Sequence, residues 1–271
     1  MESSISSLRG TIRPPFDVQT TIERGELAVA YQPILDLRDG SVFAVEALTR
    51  WMHPQYGMLP PAAFLPQIHT PEDHRIFDLW VLHRASTDML SLPRRSRSPV
   101  ALTINVGAKH LGGPDSIAEL ASALTSSDLD PSRIIIELTE SDALRDTAEA
   151  VTTINRLKRL GVRFAIDDFG TGCATLDYLA RLPADFLKID RSFMARCHQE
   201  KPAAIIEAIL MLTQRFGIDA IVEGIESREQ LRFVCARRAP YAQGYLFSRP
   251  MFLPQLRDLL KTPPGHWRPV R

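Results

Sequence analysis

Cysteine is scarce and scattered: Cys173, Cys197 and Cys235 include no Cys-x-x-Cys pair. That argues against a disulfide framework and against a structural zinc site. Net charge is missing too, because 32 Lys and Arg cancel 32 Asp and Glu. No field of one sign draws the chain to a nucleic-acid duplex or an anionic membrane. Only five of the basic residues are lysine. The one basic run, Arg94–Arg97 with Ser96 inside it, lies among Ser and Pro and reads as a solvated loop. Long apolar runs are absent as well: Ala203–Leu212 is interrupted by Glu207 and is too short to span a bilayer. The N-terminal MESSISSLRG lacks the apolar centre of a secretion signal. The expectation is a cytoplasmic protein with no membrane insertion.

What is present is an alternation of β and α patterns. Residues 1–15 read as a loose tail, 16–262 as one domain and 263–271 as a short C-terminal tail. Strands are expected at Leu27–Leu37 and Ser41–Trp51, joined by the turn Arg38-Asp39-Gly40 into an antiparallel hairpin. Helices follow near Ala62–Gln67 and Glu72–Leu90. Five strands then alternate with helices: Val100–Val106, Arg133–Leu138, Val162–Ile166, Phe186–Ile189 and Ile218–Val222. Their helices are expected at Ser116–Leu124, Ser141–Leu160, a short piece ending at Leu182, Ala203–Phe216 and Arg228–Ala236. A last strand, Tyr241–Phe247, precedes a last helix, Leu253–Leu260. Eight strands in this order favour an α/β fold, a TIM-like (β/α)8 barrel, with one antiparallel strand from the N-terminal hairpin.

The strands carry polar residues where apolar ones are expected. They are Glu46 in VFAVEAL, Asn105 in TINVG, Glu137 in IIIELTE, Asp167 and Asp168 in FAIDDFGTG, Lys188 and Asp190 in LKID, Glu223 in IVEGIE and Gln243 in YAQGY. A single such residue is ordinary. Repetition along seven strands points to the C-terminal mouth of a barrel, where active sites are built. Glu46, Glu137, Asp167, Asp168 and Glu223 put five carboxylates in one cleft, which cannot all ionise without cations. Oxygen ligands plus the Asn105 amide suit Mg²⁺ or Mn²⁺. Two such ions bridged by one Asp form the arrangement for in-line displacement at phosphorus.

At this point the ordered set YQPI (Tyr31–Ile34), Glu46-Ala47-Leu48 followed by Thr49-Arg50-Trp51, INV, IELTE, DDFGTG, LKID, EGIE and QGYLFSRP resembles the EAL-domain family over about residues 20–252. The resemblance implies hydrolysis of cyclic di-GMP to linear pGpG with two ions. It places Glu46, Asn105, Glu137 and Asp167 on the first ion, and Asp167, Asp168 and Glu223 on the second. Lys188, Glu223, Glu46 and Gln243 are the catalytic set it implies. The resemblance sets Lys188 beside the bridging water, which it helps orient and deprotonate, with a pKa lowered by burial and the two cations. The same resemblance assigns Gln32, Leu48, Arg50 and Asp190 to the substrate, makes Glu140 the anchor of the loop after DDFGTG, and implies a homodimer. Two segments depart from the family pattern. Cys173-Ala174-Thr175 replaces an aromatic and two serines, which bears on rate and dimer coupling. The second departure, at Ile68–Asp73, reads HTPED where the family often has an acidic turn. Cys173 reads as a space-filler and His53 as a loop stabiliser. Other readings remain open: a cyclic di-GMP sensor or partner-docking module that does not hydrolyse, and an enolase-type barrel, for which 15 N-terminal residues leave no capping domain.

Overall fold

The computed structural model describes residues 13–92, 99–107, 114–139, 147–170, 179 and 181–261, with the side chains of 114, 116 and 147–150 excepted. Glu140, the Arg94–Arg97 run and Cys173-Ala174-Thr175 lie outside the described residues, as do 1–12 and 262–271.

Eight strands close into a barrel. β1 (Leu27–Asp36) and β2 (Val42–His53) form the expected hairpin, in a register that sets Gln32 opposite Glu46. β3 (Gly57–Leu59) is a short ribbon folded back on the end of β2, outside the barrel. Parallel pairing then runs from β2 through β4 (Ala101–Asn105), β5 (Ile134–Thr139), β6 (Arg163–Phe169), β7 (Phe186–Ile189) and β8 (Asp219–Val222) to β9 (Tyr241–Gln243). β1 pairs antiparallel with both β9 and β2 and so closes the barrel as its one reversed strand.

Helices cover the outside. α1 (Val18–Glu23) is capped by Asp17 and leaves no readable sequence period, being only six residues long. α2 (Pro61–Phe64) continues into a 3-10 turn. α3 (Pro71–Leu90) starts inside the HTPED segment, where Thr70 accepts from the Asp73 amide as N-cap. α4 (Pro114–Ser126) and α5 (Thr147–Lys158) follow β4 and β5. α6 (Arg191–Met194) is a single turn capped by Asp190, and α7 (Glu200–Phe216) is the long helix after it. α8 (Arg228–Ala236) opens with a Ser227–Gln230 capping box, and α9 (Leu253–Leu259) closes the described chain. Among the described residues no helix is long and apolar enough to cross a membrane.

β9 is shorter than the expected Tyr241–Phe247. Gly244 presses on the chain after β8: a Cβ there would lie 2.1 Å from the Ile225 carbonyl oxygen and 2.3 Å from its nitrogen. The strand therefore turns at the one residue without a side chain, and Ile225 bonds to both sides of it, donating to Gln243 and accepting from Leu246.

Alternation sorts the strand residues into two sets. Outward positions such as Val45, Leu102, Ile136, Phe164, Leu187 and Val222 join the main core beneath the helices. Inward positions form a separate apolar plug of Ile34, Ala44, Ala101, Ile135, Ala165, Phe186, Ile221 and Tyr241. Each strand supplies one residue to that plug, which fills the lower barrel.

Candidate metal centre at the barrel mouth

Two residues along each strand from the plug, the next inward position is Gln32, Glu46, Thr103, Glu137, Asp167, Lys188, Glu223 and Gln243. The barrel interior thus changes from wholly apolar to wholly polar in one step. Seven of these eight are the residues that the sequence singles out. Thr103, the eighth, is not among them, because a threonine in a strand reads as ordinary β-branched filling.

Lys188 is 1% exposed and stands at the centre. Its Nζ lies 2.8 Å from Glu223 Oε1, 3.0 Å from Glu137 Oε2, 3.1 Å from Asp167 Oδ1 and 3.6 Å from Glu46 Oε1. Gln243 Nε2 donates to Glu46 Oε2 at 2.7 Å, and Asn105 Nδ2 to Glu46 Oε1 at 3.3 Å. Asp167 and Asp168 are adjacent, so strict alternation would send them to opposite faces. A register irregularity between β6 and β7, over Ile166 to Phe169, removes that constraint. Asp168 takes φ 55°, a left-handed conformation that Asp tolerates, and its amide donates to Asp167 Oδ1 at 2.9 Å.

Burial sets the electrostatics. It raises Glu137 well above the carboxylate range, with Lys188 opposing and Glu46 and Asp167 adding to the rise. Burial likewise lifts Glu223 to about 8 and raises Asp168, the latter helped by Asp167 and Asp190. For Lys188 burial acts downward, but the fields of Asp167, Glu137, Glu223 and Glu46 outweigh it and leave the ammonium well above its ordinary value. The expectation of a lowered Lys188 pKa concerns a site that holds two cations; without them four acids press on one ammonium. Lys188 thus already offsets part of the negative charge.

Two acid triplets can hold cations. Glu46, Glu137 and Asp167 offer ligand oxygens within 4.8 Å of one another, and so do Asp167, Asp168 and Glu223. Asp167 belongs to both. The donors are all oxygen, as Mg²⁺ and Mn²⁺ prefer. Glu137 Oε1 is buried with no hydrogen-bond partner, which a cation would remedy. The residues thus fit the group.

The remaining expected residues sit around this centre. Gln32 is buried and donates to the Ser248 carbonyl at 3.1 Å. Leu48 and Arg50 follow Glu46 at alternate inward positions of β2, rising toward the mouth. Arg50 is half-buried, and its Nη1 donates to the carbonyls of Leu48 and Thr49 at 3.3 and 2.9 Å. Among the described residues it has no carboxylate ion pair. Burial lowers its pKa, with Tyr245 and Glu46 acting in the opposite direction. Asp190 serves the fold, since its Oδ1 accepts from the Ser192 amide at 2.9 Å and starts α6. His53 holds its own turn, Nδ1 accepting from the amides of Gln55 and Tyr56 at 3.1 and 3.3 Å. Tyr245, 45% exposed with the Arg249 guanidinium 4.3 Å from its ring centre, is a platform near Arg50 that the sequence pattern does not mark.

A closed barrel with one reversed strand and an acid-lined mouth defines a class of α/β-barrel proteins suited to divalent ions. The EAL domain family model matches residues 17–250, and the chain belongs to that family. It is 35% identical over 247 residues to the cyclic di-GMP phosphodiesterase NbdA of Pseudomonas aeruginosa, covering 91% of this chain and 32% of NbdA. The chain thus spans about a third of that relative's length. A structure of the PaMucR phosphodiesterase in complex with c-di-GMP superposes with TM-score 0.83 at 35% identity, over 89% of this chain and 98% of that one. The manganese and cyclic di-GMP complex of Klebsiella pneumoniae BlrP1 gives TM-score 0.72 at 28% identity, over 83% of this chain and 56% of that one.

Proposed function

We propose that the chain is a metal-dependent phosphodiesterase that hydrolyses cyclic di-GMP to linear pGpG. The observation that carries this reading is the pair of acid triplets sharing Asp167 at the barrel mouth. The names and bound ligands of the relatives support the choice of substrate.

Glu46, Asn105, Glu137 and Asp167 would hold one Mg²⁺ or Mn²⁺, and Asp167, Asp168 and Glu223 a second. Such ions lower the pKa of the attacking water and offset charge on the departing 3′ oxygen. The chain's own groups do the rest. Water attacks phosphorus, the P–O3′ bond breaks, and the product keeps a 5′ phosphate. Lys188, among the same acids, would orient the attacking water and take up its proton once bound ions offset the fields of its four carboxylates, and that proton would pass to the departing 3′ oxygen. Glu223 would help hold the second ion and so fix the position of the attacking water. Gln243 fixes Glu46 through its 2.7 Å hydrogen bond. Arg50, with its guanidinium free of carboxylates among the described residues, grips a substrate phosphate. Gln32, Leu48 and Asp190 lie around the substrate, and the Tyr245–Arg249 platform suits stacking of a guanine.

The protein is incubated with cyclic di-GMP and Mg²⁺ or Mn²⁺, and pGpG is measured by chromatography, with Glu46→Ala and Lys188→Ala in parallel. Product from the wild type and none from the variants supports the reading. Turnover surviving both changes overturns it. Tight nucleotide binding without product favours the sensor instead. A homodimer is also part of the proposal, supported by the exposed apolar residues Ile205, Met211 and Phe216 on α7. Light scattering at micromolar concentration tests it, and a monomeric mass contradicts it.

A further inference from the structure

Thr103 stands in the polar ring without an evident role. It is wholly buried, on β4, in direct register with Glu46 on β2 and two residues before Asn105. Its strand neighbours Leu102 and Ile104 face the helices, so its side chain faces inward, above Ala101 of the plug. Its hydroxyl has no hydrogen-bond partner. Helical threonines elsewhere in the chain donate to carbonyls of the preceding turn, as Thr21 does to Asp17 and Thr125 to Ala121. An inward side chain on a strand has no such carbonyl, and valine would fill the same volume at no polar cost.

The other donors of the ring are committed. Gln32 donates to Ser248, Gln243 and Asn105 to Glu46, and Lys188 is shared among four acids. On the next strand Glu137 keeps one buried oxygen, Oε1, without a partner. The ring therefore holds a buried donor without a partner and, on the adjoining strand, a buried carboxylate oxygen without one; Gln243 Oε1, the ring's other buried unpartnered acceptor, lies on β9, which does not adjoin β4. A cation held by Glu46, Glu137 and Asp167 competes with Lys188 for their oxygens. As Glu137 turns from the ammonium toward the ion, it needs a donor to fix its orientation.

We propose that Thr103 is a positioning residue for the metal centre, its hydroxyl donating to the Glu137 carboxylate when the ions are bound. This rests on the reading of the acid triplets as cation sites. Residues that orient metal ligands change metal affinity by about 10- to 100-fold when their hydrogen bond is removed.

The test is Mn²⁺ titration by calorimetry of the wild type, Thr103→Val and Thr103→Ser, each also melted in chelator. We expect valine to weaken Mn²⁺ binding by at least about tenfold and serine to stay within about threefold. In chelator the valine variant is expected to melt at or above the wild type, since it loses only an unpartnered hydroxyl. At saturating Mn²⁺ its kcat on cyclic di-GMP should fall with KM unchanged. Unaltered Mn²⁺ affinity in Thr103→Val overturns the role of Thr103 alone. So does a valine variant that melts well below the wild type in chelator, which would mark a packing residue. A wild type that takes up no Mn²⁺ overturns the cation sites and this role with them.

Discussion

Replacing Lys188 with methionine tests how the acid ring is held together. The ammonium is buried and within 3.6 Å of four carboxylates, Glu223, Glu137, Asp167 and Glu46. Removing one partner of a buried ion group costs about 3–5 kcal/mol, because the charges left behind are unpaired. Unfolding entropy is about 0.6 kcal/mol per kelvin for a chain of 271 residues, so the loss corresponds to about 5–9 °C in Tm. Protonation of the acids discounts this at low pH. Glu137 and Glu223 already have folded pKa values raised above their unfolded ones, and without Lys188 they rise further. Groups raised in this way stabilise the fold below about 4.5, and that contribution is lost as pH climbs through the folded value, about 8 for Glu223. Calorimetric melts in chelator should therefore show Lys188→Met falling behind the wild type most at pH 8–9 and least near pH 5. Saturating Mn²⁺ should restore much of the difference, since cations replace the lost charge, while hydrolysis stays abolished. Equal melting of the two proteins in chelator at pH 8 would refute the view that Lys188 neutralises the ring.

Metal uptake by the wild type should strengthen as pH rises toward about 8, by up to about tenfold per pH unit for each proton displaced, because protons on Glu137 and Glu223 compete with the ion; Mn²⁺ titrations at pH 6, 7 and 8 check this, and a flat response contradicts it. Arg50→Ala should raise KM for cyclic di-GMP by about 10- to 100-fold with a smaller change in kcat, as expected for a phosphate contact made before and during reaction; steady-state kinetics decide. Gly244→Ala should destabilise the fold by about 4 kcal/mol or more, since its Cβ would meet the Ile225 backbone at 2.1 Å; a urea midpoint unchanged from the wild type would contradict the close approach.

Much of the barrel could be read from the chain because its strands are largely apolar and a polar residue recurs at the same level in most of them. Glu46, Glu137, Lys188 and Glu223 interrupt apolar runs, and an interruption recurring at strand ends has few explanations besides a shared mouth. The hairpin was legible in Arg38-Asp39-Gly40, and the reversed strand followed from it. Other parts left no such mark. β3 is three residues in a loop with no alternation to detect, and α6 is a single turn. The end of β9 depends on how closely Gly244 approaches Ile225, a distance that belongs to the tertiary fold. Thr103 has the side chain that any strand favours, so only its inward direction and unpartnered hydroxyl distinguish it. The upward pull on the Lys188 ammonium comes from four acids within 3.6 Å, and sequence spacing cannot supply that.

The shared ligand is the most exposed part of this scheme, because Asp167 belongs to both acid triplets. Counting Mn²⁺ per chain by calorimetry and electron paramagnetic resonance, for the wild type and Asp167→Asn, addresses it directly. We expect two ions with mutually broadened signals in the wild type and weakened binding of both in the variant. A single ion in the wild type, or one full-affinity ion surviving in Asp167→Asn, would contradict a bridged pair.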